Sequence, residues 1–117
     1  MAEDRRLTRL TKLCLELPDT SRELQGSHAA FRAGKKVFAY FLNNHHGDGI
    51  VSVCVKVFPG ENTSLVASQP DRFYPPAYIA HRGWVGLRLD QKAVDWEEVA
   101  EFLKASHMIT TAKPRKK

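Results

Sequence analysis

No apolar run in the chain approaches the ~18–20 residues needed to span a bilayer, because Lys, Arg or Asn interrupts each of the longer ones. The opening residues, Met1-Ala2-Glu3-Asp4-Arg5-Arg6, lack the apolar core that a secretory signal places after its basic start. Cysteine is scarce: Cys14 and Cys54 stand far apart among apolar neighbours, the setting of buried free thiols and not of a disulfide framework. There is no CxxC and no paired Cys/His spacing, so no structural zinc is expected. Catalytic signatures are missing too. No serine lies in a G-x-S-x-G turn, and Gly83-Trp84-Val85-Gly86 holds too little glycine for a phosphate loop. These absences point to a soluble, cytoplasmic, non-enzymatic protein without a cofactor.

What is present suits one domain. A chain of 117 residues, 43% of them hydrophobic, can build one core and not two. Charge divides it unevenly. Eighteen Lys and Arg against thirteen Asp and Glu give +5, but Lys113, Arg115, Lys116 and Lys117 supply four of those bases. Residues 1–112 keep fourteen bases against thirteen acids, a net +1. We therefore expect a nearly neutral globular domain over 1–112 and a disordered basic tail over 113–117.

An amphipathic helix opens the chain, with Leu7, Leu10, Cys14 and Leu17 at steps of three and four and Pro18 as its stop. Strands follow over 29–32, 36–42 and 50–57, the first two joined by a short turn at Ala33-Gly34-Lys35. Glu61 to Ser68 reads as a short helix. The segment 72–78 is aromatic, proline-rich and extended, and a last strand occupies 84–89. Asp95 and Glu98 form a D-x-x-E start for a final helix that turns Trp96, Val99, Ala100, Phe102 and Leu103 inward and frays near Ile109. Adjacent strands flanked by helices predict an α+β single domain, an antiparallel sheet with helices packed on one face.

The succession Phe31-Arg32, Lys36-Val37-Phe38-Ala39, Asn43-Asn44-His45-His46-Gly47-Asp48-Gly49, Arg72-Phe73, Pro75-Pro76-Ala77-Tyr78 and His81-Arg82-Gly83-Trp84-Val85 resembles the MmcQ/YjbR family of small bacterial proteins. The resemblance runs from about Leu10 to Leu103 and includes the Asp95-Trp96-Glu97-Glu98 helix start. It implies a double-wing sandwich, in which β-hairpins project beside helices, and a DNA-binding role inferred from that shape. It implies no catalytic residue.

Two readings of the surface follow. For DNA, phosphate contacts need cations on a protruding element. Lys35 and Lys36 at the hairpin tip, Arg32 beside them, Arg82 and Arg88 flanking the last strand, and the tail residues Lys113, Arg115, Lys116 and Lys117 are the candidates. The first helix adds Arg5, Arg6, Arg9 and Lys12. The alternative is an anionic-ligand pocket or interaction surface in which the polar loop Asn43, Asn44, His45, His46 and Asp48 meets Tyr78, His81, Arg82 and Trp84. Adjacent histidines on an extended chain point to opposite sides, so a metal site is not expected. Binding as a monomer, with DNA and not a membrane as partner, is the favoured expectation.

Overall fold

A computed structural model describes residues 3–44 and 47–112. Helix α1 (Arg5–Leu15) starts at Asp4, whose carboxylate accepts from the Arg6 backbone N–H at 2.8 Å, and it buries Leu7, Leu10 and Cys14 as the spacing predicts. Six strands follow: β1 (Thr20–Gln25), β2 (His28–Ala33), β3 (Lys36–Asn43), β4 (Val51–Lys56), β5 (Phe73–Tyr74) and β6 (Trp84–Arg88). Helix α2 (Glu61–Ser68) separates β4 from β5, and helix α3 (Trp96–Thr111) closes the chain. The strands form one antiparallel sheet in the order β1-β2-β3-β4-β6-β5. Helices α1 and α3 pack on one face, α1 against β1 and α3 against β3 and β4. This is the expected α+β architecture.

Strand alternation sorts the two faces. Val51, Val53, Val55 and Val57 join Phe31, Phe38, Phe41, Val85, Leu87, Leu103 and α1 in the core beneath the helices. Ser52, Cys54 and Lys56 take the other face, where the register sets them beside Arg88, Gly86 and Trp84. There the Tyr74 ring lies flat across Gly86, so closely that a Cβ at position 86 would run into it. Its hydroxyl bonds the buried Ser52 hydroxyl at 2.7 Å. Tyr74 thus ties the edge strand β5 to β4 over a strand that must carry glycine.

One irregularity shapes the rest. The β2–β3 register shifts between Phe31 and Arg32, which leaves Phe38 as the extra residue of a bulge. The β3–β4 ladder stops at Ala39 and Val55. One step further, Phe38 and Lys56 would face each other, and the fully buried Ser106 hydroxyl of α3 stands between them. It donates to the Phe38 carbonyl at 2.6 Å and accepts the Lys56 N–H at 2.9 Å. The strands therefore part there without leaving either backbone group unsatisfied.

Three features differ from the sequence reading. Strand β1 is a full edge strand, although its residues, Thr-Ser-Arg-Glu-Leu-Gln, are mostly exposed. Its inward Arg22 reaches Thr11 and Glu3 of the α1 side at 3.0 and 2.8 Å, so a charged residue does the packing an apolar one would signal. Helix α3 does not fray at Ile109, because Ser106 and Thr110 are buried and anchor its last turns. The Asp95 carboxylate caps α3 through the Glu97 and Glu98 N–H groups, but the Glu98 side chain turns away from the cap to pair with Arg72.

Ser106→Ala leaves the Lys56 N–H and the Phe38 carbonyl buried without partners and should cost about 2–4 kcal/mol, read as a lower urea midpoint with an unchanged slope.

Candidate nucleic-acid interface

Where β3 and β4 part, the chain builds a groove. Val57 donates its N–H to the Gly83 carbonyl at 2.9 Å, prolonging the β4–β6 contact beyond the last ladder pair. Gly83 holds a φ of 90°, a left-handed geometry that favours glycine, and it turns the chain from a short 3-10 segment, Ala80–Arg82, into β6. Asn62 on α2 fixes that segment by donating to the carbonyls of Ala80 and Trp84 at 2.9 and 3.4 Å. His81 and Arg82 are thereby held exposed at the mouth of β6. Trp84 opposes Lys56 across the β4–β6 pair and meets the Tyr40 ring at 5.4 Å between centroids.

Two adjoining cavities open here. The larger, about 900 Å³, is walled by Val66, Ala67, Pro75, Ala80, Ile109 and Trp84, with Asn62, Thr63, His81, Arg82 and Lys56 among its polar residues. The smaller, about 410 Å³, lies between Lys36, Val37, Tyr40, Lys56, Arg82 and Thr110. Lys56, Arg82, Trp84 and Ile109 line both, so the cavities form one continuous groove. No described lining residue of either is acidic. Among the described residues, Lys36, Lys56 and Arg82 have no ion-pair partner. Thr110, 7% exposed, lines the smaller cavity, and its hydroxyl oxygen is itself buried and meets no hydrogen-bond partner among the described residues. Three uncompensated cations on one recess suit an incoming anion's oxygens.

The residues singled out from the sequence divide between several places. Lys36 and Arg82 share the smaller cavity, and Lys35 is exposed next to Lys36 at the β2–β3 turn. Arg32 instead holds Glu23 at 2.9 Å, and Arg88 holds both oxygens of Asp90 at 3.0 Å. On the first helix, Arg6 pairs with Asp4 at 2.8 Å and Arg9 lies over the Trp96 ring, 4.9 Å from its centroid. His81, Arg82 and Trp84 line the larger cavity together, whereas Tyr78 is 80% exposed.

The described residues of the Asn43–Gly49 loop do not join them. It links β3 to β4 beside Val51, at the far end of a strand that rises roughly 17 Å to Lys56. An antiparallel hairpin puts its turn at one end of the sheet, and β6 begins at the other. Within the loop, Asn44 Oδ1 accepts the Gly49 N–H at 2.7 Å and Asp48 Oδ1 accepts the Ile50 N–H at 2.9 Å. Those side chains shape the turn. The Asn43 backbone N–H donates to His28 Nδ1 at 3.1 Å. His45, His46, Lys113, Arg115, Lys116 and Lys117 lie outside the described residues.

Lys56, Thr110, Asn62 and Val66 are absent from the sequence reading. Lys56 ends an alternating strand, and its parity with Ser52 and Cys54 was the available signal. Thr110 and the α2 residues gave none, since only the fold brings them to the groove.

A family model named YjbR matches residues 15–109. The chain belongs to the YjbR family. Among solved structures, a Deinococcus radiodurans protein with the DUF419 family domain superposes with a TM-score of 0.74 at 23% identity, over 95% of this chain and 82% of that one. At that identity the likeness concerns the fold. A search of curated proteins finds no match. The YjbR match spans every strand and nearly all of α3, so the parted β3–β4 edge and its groove lie within the family domain. No helix among the described residues is long and apolar enough to cross a membrane.

Burial restrains both thiols and one phenol. Desolvation pushes the Cys54 thiol up to about 11 and raises Cys14 and Tyr74 further above their ordinary values. Neither thiol is a nucleophile at neutral pH. Arg88's hydrogen bonds hold the Asp90 carboxyl below its usual range.

Two outcomes follow. Cys14 and Cys54 should resist a disulfide-exchange reagent in the folded protein, and two equivalents should react in denaturant. Asp90's folded pKa lies below its unfolded one, so its stabilisation is complete above the usual carboxylate range and disappears as pH falls through the lowered value. Asp90→Asn should therefore lower Tm at neutral pH, and thermal melts should show the gap to the parent closing on acidification.

Proposed function

We propose that this YjbR protein is a non-enzymatic DNA-binding protein that engages phosphates through the groove where β3 and β4 part. The observation that carries the reading is the meeting of Lys36, Lys56 and Arg82 on cavities with no acidic lining residue. A body of net charge near +1 binds a polyanion only if its charges are sorted. Ion pairing supports such sorting: Arg6–Asp4, Arg22–Glu3, Arg32–Glu23, Arg72–Glu98, Arg88–Asp90 and Lys104–Glu101 neutralise each other elsewhere. The groove cations stay uncompensated. Lys35 extends them along the hairpin, and the basic residues 113–117 add contacts that need no fold. Arg32 and Arg88 would reach phosphate only by exchanging their carboxylate partners, so they contribute less than Lys36 and Arg82.

A second reading, a small anionic ligand held by His81, Arg82 and Trp84, is favoured by the size of the larger cavity, about 900 Å³.

Anisotropy titrations of labelled DNA across a salt series test the proposal. Binding should be measurable at low salt and persist in protein ending at Ala112. Replacing Lys36, Lys56 and Arg82 by Ala should flatten the logarithmic salt slope by about two to three units. Thr110→Val should leave Tm unchanged or raised, since it removes an unpaired buried hydroxyl. Binding that vanishes with residues 113–117, or no binding at low salt, would contradict the proposal.

A further inference from the structure

We infer that the preferred form of DNA is single-stranded, with one unpaired base lodged in the larger cavity against Trp84 while its flanking phosphates meet Lys56, Arg82 and Lys36. This rests on the DNA-binding reading above and goes further in naming the form of the ligand. A phosphate-only surface needs no apolar hollow. This groove joins a cationic floor to a cavity of about 900 Å³ walled by Val66, Ala67, Pro75, Ala80, Ile109 and an indole. Lys56 and Arg82 line both compartments, so one occupant must present negative charge to one and an apolar body to the other. A nucleotide whose base has left its stack has that form. A duplex does not, because its bases are inside and its phosphates outside.

The polar fittings agree with an occupant bearing a hydrogen-bonding edge. Asn62 spends its amide N–H groups on the carbonyls of Ala80 and Trp84, which fixes the side chain with its oxygen uncommitted among the described residues. That oxygen is an acceptor on the cavity wall, suited to a base amino or imino group. Trp84, 7% exposed, is backed by Tyr40 and positioned by the β4–β6 pairing, so the part of its ring that borders the cavity is fixed before the ligand arrives. Lys36 borders the smaller compartment and not the apolar one, matching the division of labour.

The experiment compares a labelled twelve-nucleotide oligothymidine, a duplex of the same length, thymidine monophosphate and a poly-glutamate peptide. The strand should bind about tenfold or more tighter than the duplex, the gain that stacking one base affords. Ala67→Trp fills the cavity from an exposed position of α2 and should abolish the strand's advantage over the duplex. Thr63→Trp does the same from the neighbouring wall if the first variant is unfolded by circular dichroism. Duplex binding as tight as the strand's, or strand binding unaffected by a folded cavity-filling variant, overturns the inference and leaves DNA binding standing. A mononucleotide or poly-glutamate matching the strand's affinity also overturns it. If neither strand nor duplex binds at low salt, the DNA-binding reading itself falls.

Discussion

The Ser106 hydroxyl stands where a ladder hydrogen bond between β3 and β4 would otherwise form. An antiparallel sheet normally continues until both strands run out, because an unpaired buried N–H or carbonyl costs as much as a lost hydrogen bond. Here one buried side chain satisfies one group on each strand. The strands are then free to diverge: β3 continues along β2 to Lys36, and β4 continues along β6 to Lys56. The sheet becomes two wings joined at the centre. The bulge at Phe38 works in the same direction, since it adds twist just where the ladder ends.

The groove inherits its chemistry from that divergence. Had the ladder continued, Lys36 and Lys56 would belong to one closed surface with no space between them. With it open, Lys36, Lys56 and Arg82 line a recess that ends at Thr110 and widens toward Trp84. Elsewhere five arginines are matched to a nearby carboxylate, while Arg5, Arg9 and Lys12 on α1 make no ion pair among the described residues. The same face of these strands is tied together toward its other end. Tyr74 crosses Gly86 to reach Ser52, which links β5 to β4 over β6.

Much of this fold is legible in the residues, for definite reasons. Leu7, Leu10 and Cys14 repeat at helical steps, the valines of β4 alternate, and Asp95 is a strong cap because its carboxylate reaches two free N–H groups. Strand β1 is obscure because it is an edge whose inward contact is made by Arg22. The site is only partly legible. His81, Arg82 and Trp84 are near neighbours in the chain and meet in one cavity, but Lys56, Thr110 and Val66 come from three other elements, and only Lys56 carries a local mark, its parity with Ser52 and Cys54. Ser106 reads as a polar residue near a fraying helix end, although its hydroxyl is what holds the sheet open. The polar loop at 43–49 attracts notice by composition, yet Asn44 and Asp48 turn their side chains onto the loop's own backbone. Backbone demand and ligand chemistry use the same residue types there, so composition alone does not separate them.

The central claim is that the parting of β3 from β4 makes the binding surface. Its most direct measurement is a nitrogen-15 heteronuclear titration of the folded protein with a short DNA single strand. The account predicts that the largest shifts fall on the backbone amides of Lys36, Val37, Lys56, Arg82 and Thr110 and on the Trp84 indole N–H, with Asn44 and Gly49 unmoved. Shifts concentrated at the Asn43–Gly49 end of the sheet, or on the α1 face, would contradict it.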